Sequence, residues 1–154
     1  METNVGAGAR PGPGRETACC IVGGGPGGMM LALLLARQGI PVVVLERHAD
    51  FDRDFRGDTL HASVLELLDQ LGLAERLLEL RHAKVSGLNL PTRAGTATVN
   101  LFGSLPSKYP YITVMAQAQF LSFITDEARR YPSFQLIMGA RVDGLIEEGG
   151  VVRG

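Results

Sequence analysis

Residues 18–46, ACCIVGGGPGGMMLALLLARQGIPVVVLE, hold a strand, a glycine turn, a helix and a second strand in one continuous run. The β-prone residues Cys19 to Val22 come first, and Gly23, Gly25 and Gly28 follow them directly as G-x-G-x-x-G. An apolar helix then leads through Gly39 and Pro41 to Val42–Leu45 and the acidic Glu46. In this order the pattern is the dinucleotide-binding fingerprint. Its first glycine permits a tight turn, its second lets a pyrophosphate approach the backbone, and its third lets the helix pack close to the strand; a side chain at any of the three would intrude. The helix opening at Pro26 and Gly27 aims unpaired N–H groups and a partial positive charge at an anion. Glu46 stands where a carboxylate accepts from ribose hydroxyls and repels a 2′-phosphate, which selects FAD or NAD over NADP. The plain alternative, a flexible glycine turn without a ligand, leaves the acidic end of the apolar run unexplained.

The bulk properties fit this reading. The chain has 154 residues, 45% hydrophobic and 20% charged, as in an ordinary globular domain with a real core. Its 15 basic and 16 acidic residues are mixed along the sequence, so no basic stripe marks a nucleic-acid or anionic-membrane surface. Thr17 to Ala36 carries no charge and is long enough to span a bilayer, but five glycines and Pro26 interrupt it, leaving only Met29 to Ala36 unbroken. No membrane span is expected. Cys19 and Cys20, adjacent within a strand, cannot form an ordinary bridge to each other and act as small apolar residues, which suits a reduced, cytoplasmic setting.

Residues 1–16 are rich in Gly and Pro with almost no large apolar side chains, and are expected to form a disordered leader ahead of a domain spanning 17–154. The first helix should run from Gly27 to about Gln38, with Gly39 as its stop. Arg47 to Asp58 is a charged loop leaving the second strand at the edge that lines the nucleotide cleft, which makes Arg47 a candidate cofactor contact. Thr59 to Leu80 carries Leu60, Val64, Leu67, Leu68 and Leu71 at helical spacing, breaks at Gly72 and resumes as a short helix with Leu77 and Leu78. Lys84 to Leu90 and Thr96 to Leu101 read as a hairpin closed by residues 91–95. Tyr111 to Met115 is a short strand, Ala116 to Arg130 a helix stopped by Pro132, and Phe134 to Met138 a strand suited to extend the parallel sheet. Arg141 to Glu147 and Val151 onward make a last hairpin turning at Gly149-Gly150.

Four segments together resemble the family of FAD-dependent aromatic-ring monooxygenases, the para-hydroxybenzoate hydroxylase group. They are VGGGPGG with Glu46; FRGDTLHASVLELLDQLGL at 55–73; VMAQAQFLSFI at 114–124; and MGARVDGLIEEGGVVRG at 138–154. The resemblance runs from about Ala18 to Gly154 and implies an α/β, Rossmann-like FAD-binding domain with a parallel sheet and antiparallel hairpins. By the same resemblance Arg56 and Gln117 contact the flavin cofactor and the backbone at Val142 touches adenine. An arginine fork suits phosphate oxygens, and a glutamine amide both donates and accepts. Each also has an ordinary alternative: Arg56 can pair with Asp52, Asp54 or Asp58, and Gln117 can cap its helix.

The family reaction uses NAD(P)H as co-substrate and passes one oxygen atom of O2 to an aromatic substrate. Members of the family run to well over twice this length, so the chain is expected to be an N-terminal portion, apparently truncated, that self-associates or needs a missing C-terminal portion and lacks a complete active site. The alternatives are a non-catalytic nucleotide-binding fragment or module that needs a partner chain, and half of an NAD-dependent dehydrogenase. Gly57-Asp58 is assigned to a helix start, with Asp58 as its cap. Arg56-Gly57-Asp58, an adhesion tripeptide elsewhere, is coincidence here. His48, His61 and His82 lack metal-ligand spacing, and no metal site is expected.

Overall fold

In the computed structural model, residues 16–52, 59–93, 95–100 and 102–154 are described. Residues 1–15 of the leader expected over 1–16, and Arg56 and Asp58 within 53–58, lie outside them. The opening unit forms as its sequence dictates. Strand β1 (Cys19–Val22) and strand β2 (Val42–Glu46) pair in parallel from Cys19–Val42 to Val22–Leu45, joined by helix α1 (Pro26–Arg37). Pro26 takes the first helical position, where its ring presets φ and its missing N–H costs nothing. The helix ends because Gly39 adopts φ 74°: its N–H reaches Ala36 O at 2.9 Å while the Ile40 N–H reaches Leu35 O at 3.1 Å. This is the Schellman arrangement, which satisfies the last carbonyls and turns the chain toward β2.

The next stretch differs from its helical reading at the start. Thr59–Leu60 is a strand, β3, and helix α2 begins only at Ala62 and runs to Gln70 with His61 as its N-cap residue. His61, and not the residue before Thr59, therefore holds the cap position. Leu60 and Leu68 are buried and Val64 and Leu71 pack half-buried against the core, as their spacing suggests; Leu67 departs from it by being exposed, and Leu65 is fully buried in addition. Gly72 (φ 72°) repeats the Schellman ending and leads to helix α3 (Ala74–Leu78). The first expected hairpin strand divides in two. Strand β4 (Ala83–Val85) joins one sheet, while β5 (Gly87–Thr92) and β6 (Gly95–Asn100) form a separate antiparallel pair. Strand β7 (Ile112–Val114) then lies between β3 and β4, antiparallel to both.

Helix α4 (Gln117–Ala128) packs along α1, whose Ala32 and Ala36 are buried and small enough to admit it. Strand β8 (Phe134–Met138) completes the parallel sheet in the order β1-β2-β8, pairing Val42 with Phe134 and Glu46 with Met138. Ile21, Val42 and Val44 are buried while Cys20 and Val22 are exposed, so the helices cover one face of this sheet. The last hairpin is shorter than expected: β9 (Glu147–Glu148) and β10 (Val151–Val152) meet across Gly149 (φ 59°) and Gly150 (φ 77°). Two positive φ values match the twist of the flanking strands. The result is an α/β fold with a parallel sheet and antiparallel sheets, as expected.

Candidate cofactor-binding site

The carboxyl ends of β1 and β2 open into a cleft of about 730 Å³ lined by Val22, Gly23, Gly25, Leu45, Glu46, Arg47, His48, Ala140, Arg141 and Val142. Such a crevice at strand ends is where α/β sheets bind ligands. Its two walls are tied together by backbone. The Gly23 N–H donates to Leu45 O (2.8 Å), the Ala140 N–H to Glu46 O (2.8 Å) and the Gly139 N–H to His48 O (2.8 Å). Residues 139 and 140 are thereby held against the end of β2, and Val142, two residues on, lines the same cleft as Gly25.

The glycines differ in what they allow. Gly23 has φ 107°, a conformation reserved for a residue without Cβ. A Cβ on Gly28 would overlap the Gly23 carbonyl oxygen and press on Ile21, so the helix approaches the strand only because that position is bare. A Cβ on Gly25 would meet nothing within 4 Å; it would stand in the cleft itself. Gly24, which sequence reasoning passed over, donates its N–H to Glu46 Oε2 at 2.7 Å, and a Cβ there would crowd the Glu46 side chain at 3.1 Å. Gly25 is the N-cap of α1, with no side-chain cap and no acidic residue in the first turn, so this helix end keeps its affinity for an anion.

Glu46 is the most constrained residue of the site. It is only 3% exposed, and besides Gly24 its carboxylate accepts from the backbone N–H of His48 (2.9 Å) and engages His48 Nδ1 (2.6 Å), both at Oε1. Burial of a carboxylate is tolerable when such donors replace water. His48 lay among residues set aside for want of metal-ligand spacing; an i, i+2 contact between a strand end and its loop leaves no periodic signal. Arg47 is exposed at the cleft wall.

Gln117 is elsewhere. It is the first residue of α4, with Ala116 as the N-cap, so it does not cap the helix. It lines a second pocket of about 260 Å³ with Pro26, Gly27, Met30, Thr59, Leu60, Val64, Met115 and Phe120. The two cavities meet at the start of α1: Gly25 belongs to one and Pro26 to the other. An extended ligand could lie across the helix end with one portion in each. Among the described residues no group of three or more His, Cys, Asp or Glu side chains could hold a metal ion, and no helix is long and apolar enough to cross a membrane. Cys19 and Cys20 are free.

Comparison with known proteins identifies what this architecture belongs with. A family described as "FAD binding domain" matches residues 16–154. The chain is 38% identical over 144 residues to 6-methylpretetramide 4-monooxygenase of Streptomyces rimosus, covering 94% of this chain and 34% of that protein. It is 28% identical to pentachlorophenol 4-monooxygenase of Sphingobium chlorophenolicum, over 93% of this chain and 27% of that protein. Among solved structures, the anhydrotetracycline hydroxylase OxyS from Streptomyces rimosus superposes with a TM-score of 0.73 at 29% identity, over 88% of this chain and 27% of that one. The chain thus spans about a third or less of the length of these relatives.

Proposed function

Because the chain belongs to this family of FAD-binding domains, we propose that it holds the adenosine half of FAD in the cleft between Gly23 and Val142, the diphosphate at the start of α1, and the ribityl chain toward Gln117. The observation that carries this is the meeting of two cavities at one uncapped helix N-terminus, with bare Gly25 between them. The residues fit the group. Diphosphate oxygens would accept from the first-turn N–H groups of α1, where the partial positive charge stabilises them without a cationic side chain. Glu46 would accept from the ribose, while Arg47 and the backbone at Val142 border the adenine end. Gln117 would meet the ribityl chain with its amide. Arg56 is proposed as a further phosphate contact on the strength of the resemblance alone.

For the protein that carries this domain, we propose NAD(P)H-dependent hydroxylation of an aromatic substrate in a cytoplasmic setting. In that reaction NAD(P)H is oxidised, one atom of O2 enters a C–OH bond and the other leaves as water. Bound FAD supplies the redox and oxygen chemistry. This chain's own residues bind and orient it: the glycine turn excludes side chains from the diphosphate, and the buried Glu46 fixes the adenosine end. Match to an FAD family over nearly the whole chain disfavours the NAD-dehydrogenase alternative.

Titration of the chain with FAD, followed by calorimetry and by quenching of flavin fluorescence, tests the reading. ADP should compete, and Glu46→Gln should weaken FAD by roughly 1–3 kcal/mol, the range for losing a charged hydrogen-bond acceptor. Saturable binding that ADP does not displace, or equal affinity in the variant, would remove the cleft from the proposal.

A further inference from the structure

We infer that His48 is a positioning residue that sets the ribose-binding plane of Glu46, an inference that rests on the adenosine site proposed above. The terminal torsion of a glutamate is broad and roughly two-fold, so a carboxylate at the end of a strand does not by itself present its oxygens in one orientation. Here that torsion is fixed from two sides. Gly24 N–H holds Oε2 at 2.7 Å; His48 holds Oε1 twice, through its backbone N–H at 2.9 Å and its ring Nδ1 at 2.6 Å. An ionised carboxylate only accepts, so the ring nitrogen that faces it carries the proton, and the tautomer is set by this contact. The arrangement parallels the way a second residue orients a ligating side chain and tunes its basicity at a metal centre. His48 itself lines the cleft and is 38% exposed at its side chain, against 4% for Glu46. Its ring is thus partly open to the cleft while the carboxylate it holds is buried.

The consequence is that ribose recognition depends on two residues, of which only Glu46 belongs to the fingerprint. Calorimetry on the full 154-residue chain with ADP and with 2′,3′-dideoxy-ADP isolates the ribose contribution as a ratio of affinities. The parent should favour ADP by about tenfold or more, as one charge-assisted hydrogen bond gives. In His48→Ala the preference should shrink to within about threefold, with His48→Asn, whose amide N–H sits near the position of Nδ1, regaining most of it. Thermal melts of both variants report whether the fold persists. Should the alanine variant fail to fold, the ring 15N signals of His48 in the parent serve instead: a proton on Nδ1 both before and after ADP addition is expected, and its loss on binding overturns the inference.

A full ribose preference in His48→Ala, or tighter ADP binding than in the parent, would show that the ring is idle or obstructive and would also overturn it. Failure of the cofactor reading looks different. A parent that binds no ADP, or binds it without ribose preference, sinks the adenosine assignment first and this inference with it.

Discussion

Gly25 and Gly28 stand three residues apart in one turn, yet their substitutions should have opposite signatures. At Gly25 an added side chain meets no protein atom within 4 Å, and the residue already has the extended N-cap conformation. Aspartate is a preferred N-cap and its charge complements the helix dipole, so Gly25→Asp should leave the melting temperature unchanged or raise it by a few degrees. The same charge would face the diphosphate, and FAD binding should fall beyond detection in a titration that the parent saturates. Gly28→Ala reverses this. Its methyl group would collide with the Gly23 carbonyl, and overpacking of about 1–3 kcal/mol should lower the melting temperature by roughly 3–10 °C. Calorimetric scans and FAD titrations on the two variants separate the duties; a thermally silent Gly28→Ala would mean that the helix does not need its close approach. The glycine spacing and Glu46 were legible in the sequence because their constraints are local to one turn and one strand end. Gly24 and Ala140 were not, because their contacts arise only when β1, β2 and the residues after β8 converge, and the i, i+2 contact of His48 with Glu46 leaves no mark in hydropathy or spacing.

Helices α3 and α4 are joined by charge. Glu127, 6% exposed, receives Arg76 at 2.6 Å and Arg130 at 3.1 Å. Burial works to raise its pKa, but hydrogen bonds from the two guanidinium groups outweigh it and hold the carboxyl below the usual carboxylate range. A carboxyl depressed in the folded state contributes stability above its unfolded value and loses it as the pH falls through the folded one. Glu127→Gln should therefore melt below the parent at pH 7, with the gap closing as the pH is taken below about 4.3. Parallel melts from pH 7 to pH 3 check this, and a gap independent of pH would assign the contact to packing alone. At the scale of elements the sequence was informative wherever period and punctuation agreed: Gly39 ends α1 and Pro132 follows α4 as read. It misled at Thr59–Leu60, where leucines at helical spacing suggested one helix. That pair is a strand because β7 offers it a hydrogen-bonding edge, a partner over fifty residues away that no local window contains.

The molecule carries large apolar side chains in the open, with Val22 at 63%, Leu145 at 67% and Ile146 at 62% exposed, and Cys20, on the same face of β1 as Val22, is exposed as well. Exposed apolar patches and unpaired strand edges favour association, so light scattering on the chain should give a mass above the monomer that rises with concentration. A concentration-independent monomer would contradict this. Assayed alone with FAD, NADH or NADPH, oxygen and phenolic substrates, the chain should bind cofactor and yield no hydroxylated product above free flavin. Positioning of reactants is worth about 7–11 kcal/mol of a barrier, and the binding mode proposed above assigns the two cavities to the cofactor's nucleotide and ribityl portions rather than to its ring. Product above that background would show that this chain also positions the ring. The parallel pairing of β2 with β8 has one more consequence, in time rather than space. Glu46 leaves the ribosome early, but the wall that faces it, residues 139–142, is held by backbone bonds to Glu46 and His48 and is made only after β8. At roughly 5–20 residues per second of synthesis, the glycine turn waits several seconds or more for its opposite wall. A nascent chain can display the fingerprint long before it can keep a nucleotide, and cofactor loading must come late in its birth.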